Sequence, residues 1–185
     1  FTETKVKLDK ITLNGINQYP AGRRIIFTKN GIRYRISVYM ESHEVYNTMF
    51  FMNSFAVEND SLFMWMGHSQ IGMGFNPGVM NDLIVNNPSI FKVSRDYQLI
   101  YWAGCSSYSY YGYPLFDIKQ QYAGGTGTDK LDILTNGLPS DFSILPDQAN
   151  YLMNLLLNIN INQPALNQPS FQTIVKTLDK WGGKN

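Results

Sequence analysis

The chain has 185 residues, enough for one ordinary domain, and a hydrophobic fraction of 44% supports a real core and excludes wholesale disorder. Only 16% of residues are charged and the formal net charge is +1, so no electrostatic field draws the protein to nucleic acid or to an anionic membrane surface. A single cysteine excludes an internal disulfide framework, and no apolar run approaches the roughly 18 residues of a membrane span.

The first predicted element is a β-hairpin, with strands at 24–29 and 32–40 joined by Asn30-Gly31, the preferred pair for a two-residue turn needing positive φ at both positions. In the second strand Ile32, Tyr34, Ile36, Val38 and Met40 share one face, and Arg33 and Arg35 take the other. Ser42 is a plausible N-cap for a helix from His43 to Ala56, whose stripe is Val45, Met49, Met52 and Ala56, widened by Tyr46, Phe50 and Phe55. A strand at 61–66 follows, so strand 32–40, this helix and strand 61–66 read as a right-handed βαβ unit. A glycine-containing loop, a short helix near 78–86 and a strand at 97–103 repeat the pattern, which makes the chain α/β.

Beyond Cys105 lie Tyr108, Tyr110, Tyr111 and Tyr113, then a helix expected from Pro114 to Tyr122. The Ala123-Gly124-Gly125-Thr126-Gly127-Thr128 segment has the composition of a mobile surface loop. A strand at 131–136, a helix at 148–158 and a closing helix at 171–181, stopped by Gly182-Gly183, complete the reading. The expected organisation is one domain over 1–185, with an N-terminal β extension and hairpin at 1–33, a core at 34–158, and a connection with the closing helix at 159–185.

The chemistry gathers at two strand ends. Strand 61–66 runs into Gly67-His68-Ser69, and strand 97–103 runs through Gly104 into Cys105. In open parallel sheets ligands bind outside the carboxyl ends of the strands, so neighbouring strands would bring His68 and Cys105 to one crevice. A thiol attacks as thiolate, and a nearby imidazole can exchange the protons that acyl transfer requires. Gly67 and Gly104 allow close approach of a substrate backbone, and N–H groups at the strand ends can stabilise an oxyanion. Gly72, Gly74, Pro77 and Gly78 make the loop after His68 adaptable. The bland alternative is a core cysteine and a hydrogen-bonded strand-end histidine.

Two chemical rivals are weaker. Gly67-His68-Ser69-Gln70-Ile71 nearly spells a serine-hydrolase elbow, but the fifth position is Ile71 and no histidine follows Ser69. A metal site built from His43, His68 and Cys105 lacks the spacing of a zinc motif, so no metal or other cofactor is expected.

Phe63-Met64-Trp65-Met66-Gly67-His68-Ser69 and Ile100-Tyr101-Trp102-Ala103-Gly104-Cys105, with Gly104-Cys105-Ser106-Ser107-Tyr108 and Leu131-Asp132-Ile133-Leu134-Thr135-Asn136, resemble the bacterial caspase-like cysteine peptidases of clan CD. The similarity spans roughly 34–158. It implies a caspase-like three-layer sandwich, a mostly parallel sheet with helices on both faces, and thiol-protease activity on a peptide or protein substrate. Cys105 would be the nucleophile, His68 the acid/base, and the N–H groups of Ser69 and Cys105 the oxyanion donors. Gly67, Gly104, Ser106, Tyr108, Asp132 and Asn136 are the candidate cleft residues. The family usually has glycine where Ser69 stands, and often an acidic residue or alanine where Gly104 stands.

Asp117, Asp129 and Asp132 are candidates for a charged specificity pocket, because all three follow Cys105. The 123–128 loop is the candidate for activating cleavage. A silent caspase-like domain that binds a protein partner is the alternative from another functional class. The opening Phe1 suits a trimmed or processed fragment, which hides any signal peptide and leaves the compartment open.

Overall fold

The structure of the protein, a computed structural model, describes residues 2–6, 22–39, 44–69, 77–137, 139–158 and 169–182. Strands β1 (Thr2–Val6), β2 (Gly22–Lys29) and β3 (Ile32–Val38) form an antiparallel sheet in that order. The β2–β3 turn is the predicted one: Asn30 and Gly31 have φ of 53° and 77°, the positive values that match its twist to the strands. Helices α4 (Leu145–Leu157) and α5 (Phe171–Gly182) belong to the same compact unit, whose described residues are 2–6, 22–39, 141–158 and 169–182. Tyr34 donates to the Leu156 carbonyl at 3.0 Å and Gln148 to the Leu178 carbonyl at 3.1 Å, tying sheet to helix and helix to helix.

The second compact unit, with described residues 44–69, 77–137 and 139–140, carries the parallel sheet. Helix α1 (Glu44–Met52) continues as a π-helical turn at Asn53–Val57. Strand β4 (Leu62–Met66), helix α2 (Pro77–Asn86), strand β5 (Gln98–Ala103), helix α3 (Ser107–Ala123) and strand β6 (Leu131–Thr135) follow. The strand order is β4-β5-β6, all parallel. Both β5 faces are buried, as expected of a central parallel strand. On the face bearing Phe63 and Trp102, the ring of Phe51 from α1 lies 5.0 Å from Phe63 and 5.4 Å from Trp102, and Tyr111 of α3 stacks on Trp102 at 4.2 Å.

Several expectations are corrected. Strand β3 does not open a βαβ unit with β4; among the described residues it pairs with β2 alone. Its alternation explains this, since Arg33 and Arg35 are exposed while Ile32, Tyr34 and Ile36 are half-buried, the signature of an antiparallel strand with one wet face. The agreement ends at Val38, which is 53% exposed. Residues 34–39 and 141–158, expected with the core, cluster in the hairpin's compact unit. Helix α1 is buried around its described circumference from Asn47 to Met52, not along one stripe. Ser42, His43 and the glycines at 72 and 74 lie outside the described residues.

Helix α3 starts at Ser107, seven residues before the predicted Pro114, which lies inside it. Residues 124–128 form a turn: the Asp129 carboxylate accepts the Thr126 N–H at 3.1 Å, and Gly124, Gly125 and Gly127 all have φ near the 78–79° that favours glycine. A Cβ on buried Gly127 would overlap the Phe116 carbonyl, so close packing as well as positive φ calls for glycine there.

Candidate active site

Two parallel strands deliver the histidine and the cysteine to the same rim. In the β4–β5 register Met66 lies opposite Ala103, and His68 and Cys105 each stand two positions beyond. The ladder runs one step past the strands, with the Gly67 N–H donating to the Ala103 carbonyl at 3.2 Å. A Cβ placed on Gly104 would lie 2.9 Å from the Gly67 carbonyl oxygen and 3.6 Å from Ser69 Cβ, so the two turns are in backbone contact and glycine is required there. The Ser69 hydroxyl donates to the Cys105 carbonyl at 2.5 Å, and the Tyr111 hydroxyl to the Ser69 carbonyl at 2.8 Å. Both neighbours of His68 thus touch the turn that carries Cys105, or the residue before it. His68 is exposed and Cys105 is half-buried.

Gly104→Ala is expected to cost about 1–3 kcal/mol, because the backbone carbonyl opposite can yield only by moving a strand end. Thermal unfolding reads that cost, and slower alkylation of Cys105 would report that the two turns had separated.

Cys105 leads into α3 through Ser106, whose φ of 51° puts it in the left-handed region. Among the described residues it is the one non-glycine with positive φ that is not asparagine, a conformation costing on the order of 1 kcal/mol. Hydrogen bonds hold this turn: the Ser107 N–H donates to the Gly104 carbonyl at 3.3 Å, and the buried Ser107 hydroxyl to the Trp102 carbonyl at 2.9 Å.

Asn136, just past β6, completes the rim. Its N–H donates to Ser107 Oγ at 2.9 Å, its carbonyl accepts the Tyr108 N–H at 3.1 Å, and its side-chain amide donates to Ser140 Oγ at 3.0 Å. The Ser140 N–H donates to Cys105 Sγ at 3.2 Å. Gly67, His68, Ser69, Gly104, Cys105, Ser106, Tyr108 and Asn136 are therefore gathered at one end of the sheet. Tyr108 and Tyr113 are 71% and 80% exposed, so of this tyrosine cluster Tyr111, fully buried against Trp102, is the packing member.

Asp132 is a correction. It pairs with Leu99 near the amino end of β6, on the opposite rim, and its carboxylate accepts the Tyr97 hydroxyl at 2.5 Å. Burial, then this bond and the carboxylate charge, push the Tyr97 phenol up to about 12. Asp117 and Asp129 are equally remote: the first lies ten residues into α3, roughly 15 Å along its axis, and the second closes the turn after that helix. No acidic residue of the expected trio lines the cysteine's end.

Ser69 is 4% exposed and its hydroxyl proton is committed to a carbonyl, which does not suit an elbow nucleophile. His43 is outside the described residues, and among those described no group of three or more His, Cys, Asp or Glu could hold a metal ion. No described helix is long and apolar enough to cross a membrane.

Sequence reasoning does not single out Ser107 or Ser140, and it names Tyr111 only as one of the tyrosine cluster. The spacing of Ser107, Tyr111, Leu115, Ile118 and Lys119, all buried, is helical and could have announced both α3 and Tyr111. Ser140 meets the sulfur with its main-chain N–H, a contact that no residue type announces. No family model, no curated protein and no solved structure matches the chain.

Proposed function

We propose that the unit carrying the parallel sheet is a caspase-like cysteine peptidase, in which Cys105 attacks a peptide carbonyl and His68 manages the protons. The observation that supports this most is the backbone contact of the two turns, with His68 and Cys105 at equal height above neighbouring parallel strands. In the reaction the Cys105 thiol gives its proton to the His68 imidazole, Sγ bonds to the carbonyl carbon, and the π electrons move to oxygen, beside the N–H groups of Ser69 and Cys105. The C–N bond then breaks, the imidazolium gives its proton to the departing amine, and water hydrolyses the thioester. The caspase-like three-layer sandwich belongs to this proposal.

A peptidyl acyloxymethyl ketone library tests it. The wild-type chain should be labelled at Cys105, and His68→Ala should label at least about tenfold more slowly. Equal, slow labelling of both chains would end the proposal. It would favour a silent caspase-like domain that binds a protein partner, the reading to which the exposed Tyr108 and Tyr113 rings on α3 lend support.

A further inference from the structure

We propose that Asn136 is a positioning residue for Cys105, acting through the Ser140 main-chain amide. The inference rests on the reading of Cys105 as a nucleophile and adds a third loop to its machinery. The amide of Ser140 lies 3.2 Å from Sγ, an N–H aimed at the one atom that must carry electron density during attack. That aim requires the Ser140 peptide to be held, and the Asn136 side chain holds its residue by donating to Ser140 Oγ at 3.0 Å. Asn136 is itself fixed at the end of β6, bonded through its main chain to Ser107 and to Tyr108 in the first turn of α3. Ser107 in turn grips the Trp102 carbonyl of β5. The sulfur is thereby referenced to two strands and a helix by one continuous series of hydrogen bonds.

Chemically, an N–H donated to sulfur holds one lone-pair direction and selects the side-chain rotamer from which the other lone pair faces substrate. Nothing covalent changes at Ser140. The contribution of its amide lies in orienting Sγ towards the incoming carbon. Either hydroxyl-bearing residue at 140 can accept from Asn136, whereas alanine cannot.

The test is alkylation of Cys105 by iodoacetamide, followed by mass spectrometry on the full chain, with kinact and KI for the peptidyl ketone measured alongside. Asn136→Ala and Ser140→Ala should each slow alkylation by about three- to tenfold, and the double variant should be no slower than the slower single one, because both remove one bond. Ser140→Thr, which restores the hydroxyl, should return the rate to within about twofold. With the peptidyl ketone the loss should fall in kinact while KI stays put, a split that a general loosening of the fold would not produce.

Additive losses in the double variant, or an unchanged rate in Ser140→Ala, would overturn the proposal. If Asn136→Ala fails to fold, the Ser140→Ala and Ser140→Thr pair decides alone. Iodoacetamide needs no peptide site, so wild-type chain that resists every peptidyl ketone would sink the peptidase reading and leave this positioning test intact.

Discussion

Cys105→Ala is expected to lose hydrolysis of any peptide that the wild-type chain cleaves by on the order of 10³-fold or more, and His68→Ala by about 10²- to 10⁴-fold. The first loss is larger because the covalent route disappears; the second leaves an attacking sulfur without its proton partner. Both side chains stand at the rim, one half-buried and the other exposed, so neither supports the core that Phe51, Trp102 and Tyr111 build. Their removal should therefore change stability by only about 0.5 kcal/mol. Ser69→Ala gives the contrast: it keeps the thiol and should retain turnover above Cys105→Ala. Hydrolysis of a fluorogenic peptide library, with melting curves for each variant, reads the outcome. Full turnover by Cys105→Ala together with loss in Ser69→Ala would hand the chemistry to the serine.

Lys119→Met is expected to destabilise the fold by about 2–3 kcal/mol, although it replaces a buried charge by an apolar chain of similar length. Lys119 is fully buried in α3, where its Nζ donates to Gln98 Oε1 at 2.7 Å and to the Asp96 carbonyl at 3.0 Å, with the Phe55 ring 5.6 Å away. Gln98 uses its own amide on the carbonyls of Asp60 at 2.9 Å and Phe55 at 3.3 Å, which pins the π-helical turn to the amino end of β5. Methionine would leave Gln98 Oε1 buried and unpaired, which is where the cost arises.

The same site predicts a pH dependence. Burial first, then repulsion from Lys130, lowers Lys119 to about 8 against the pull of Asp96 and Asp129. Two acceptors match the two N–H bonds of a neutral amine, so the uncharged form keeps both partners. Below about 8 the folded and unfolded chains hold the same proton and stability is flat. Between about 8 and 10.5 the unfolded chain binds a proton that the folded one has lost, and stability rises, by on the order of 2 kcal/mol up to pH 10.

Tyr101, pushed up to about 12 by burial, works the other way together with Tyr97. Their contribution is complete below 10 and is lost as pH climbs towards 12. Urea midpoints at pH 7, 8, 9, 10 and 11 should trace a rise and then a fall. The rise should vanish in Lys119→Met, and its persistence there would show that another group causes it.

Much of the fold follows from local rules. The hairpin turn at Asn30-Gly31, the strands of the parallel sheet and the paired arrival of His68 and Cys105 rest on turn chemistry, apolar runs and the sidedness of parallel strands. Helix α3 was hidden by Pro114, which resembles a helix start. Its early turns are held by Tyr111 on Trp102 and by Ser107 on β5, contacts that outweigh one missing N–H. Asp132 is offered to the cleft only because it follows Cys105; as the second residue of β6, paired with Leu99, it stands at the amino end of a parallel strand and so on the other rim.

By itself the sequence determined that a thiol and an imidazole each follow an apolar strand, because residue identity and periodicity are local properties. Only the tertiary structure decided that β3 stays in a separate antiparallel sheet, that Asp117, Asp129 and Asp132 lie away from the cysteine, and that the Ser140 amide meets its sulfur. Strand pairing, register and main-chain donors depend on distant segments meeting, and no residue type encodes them.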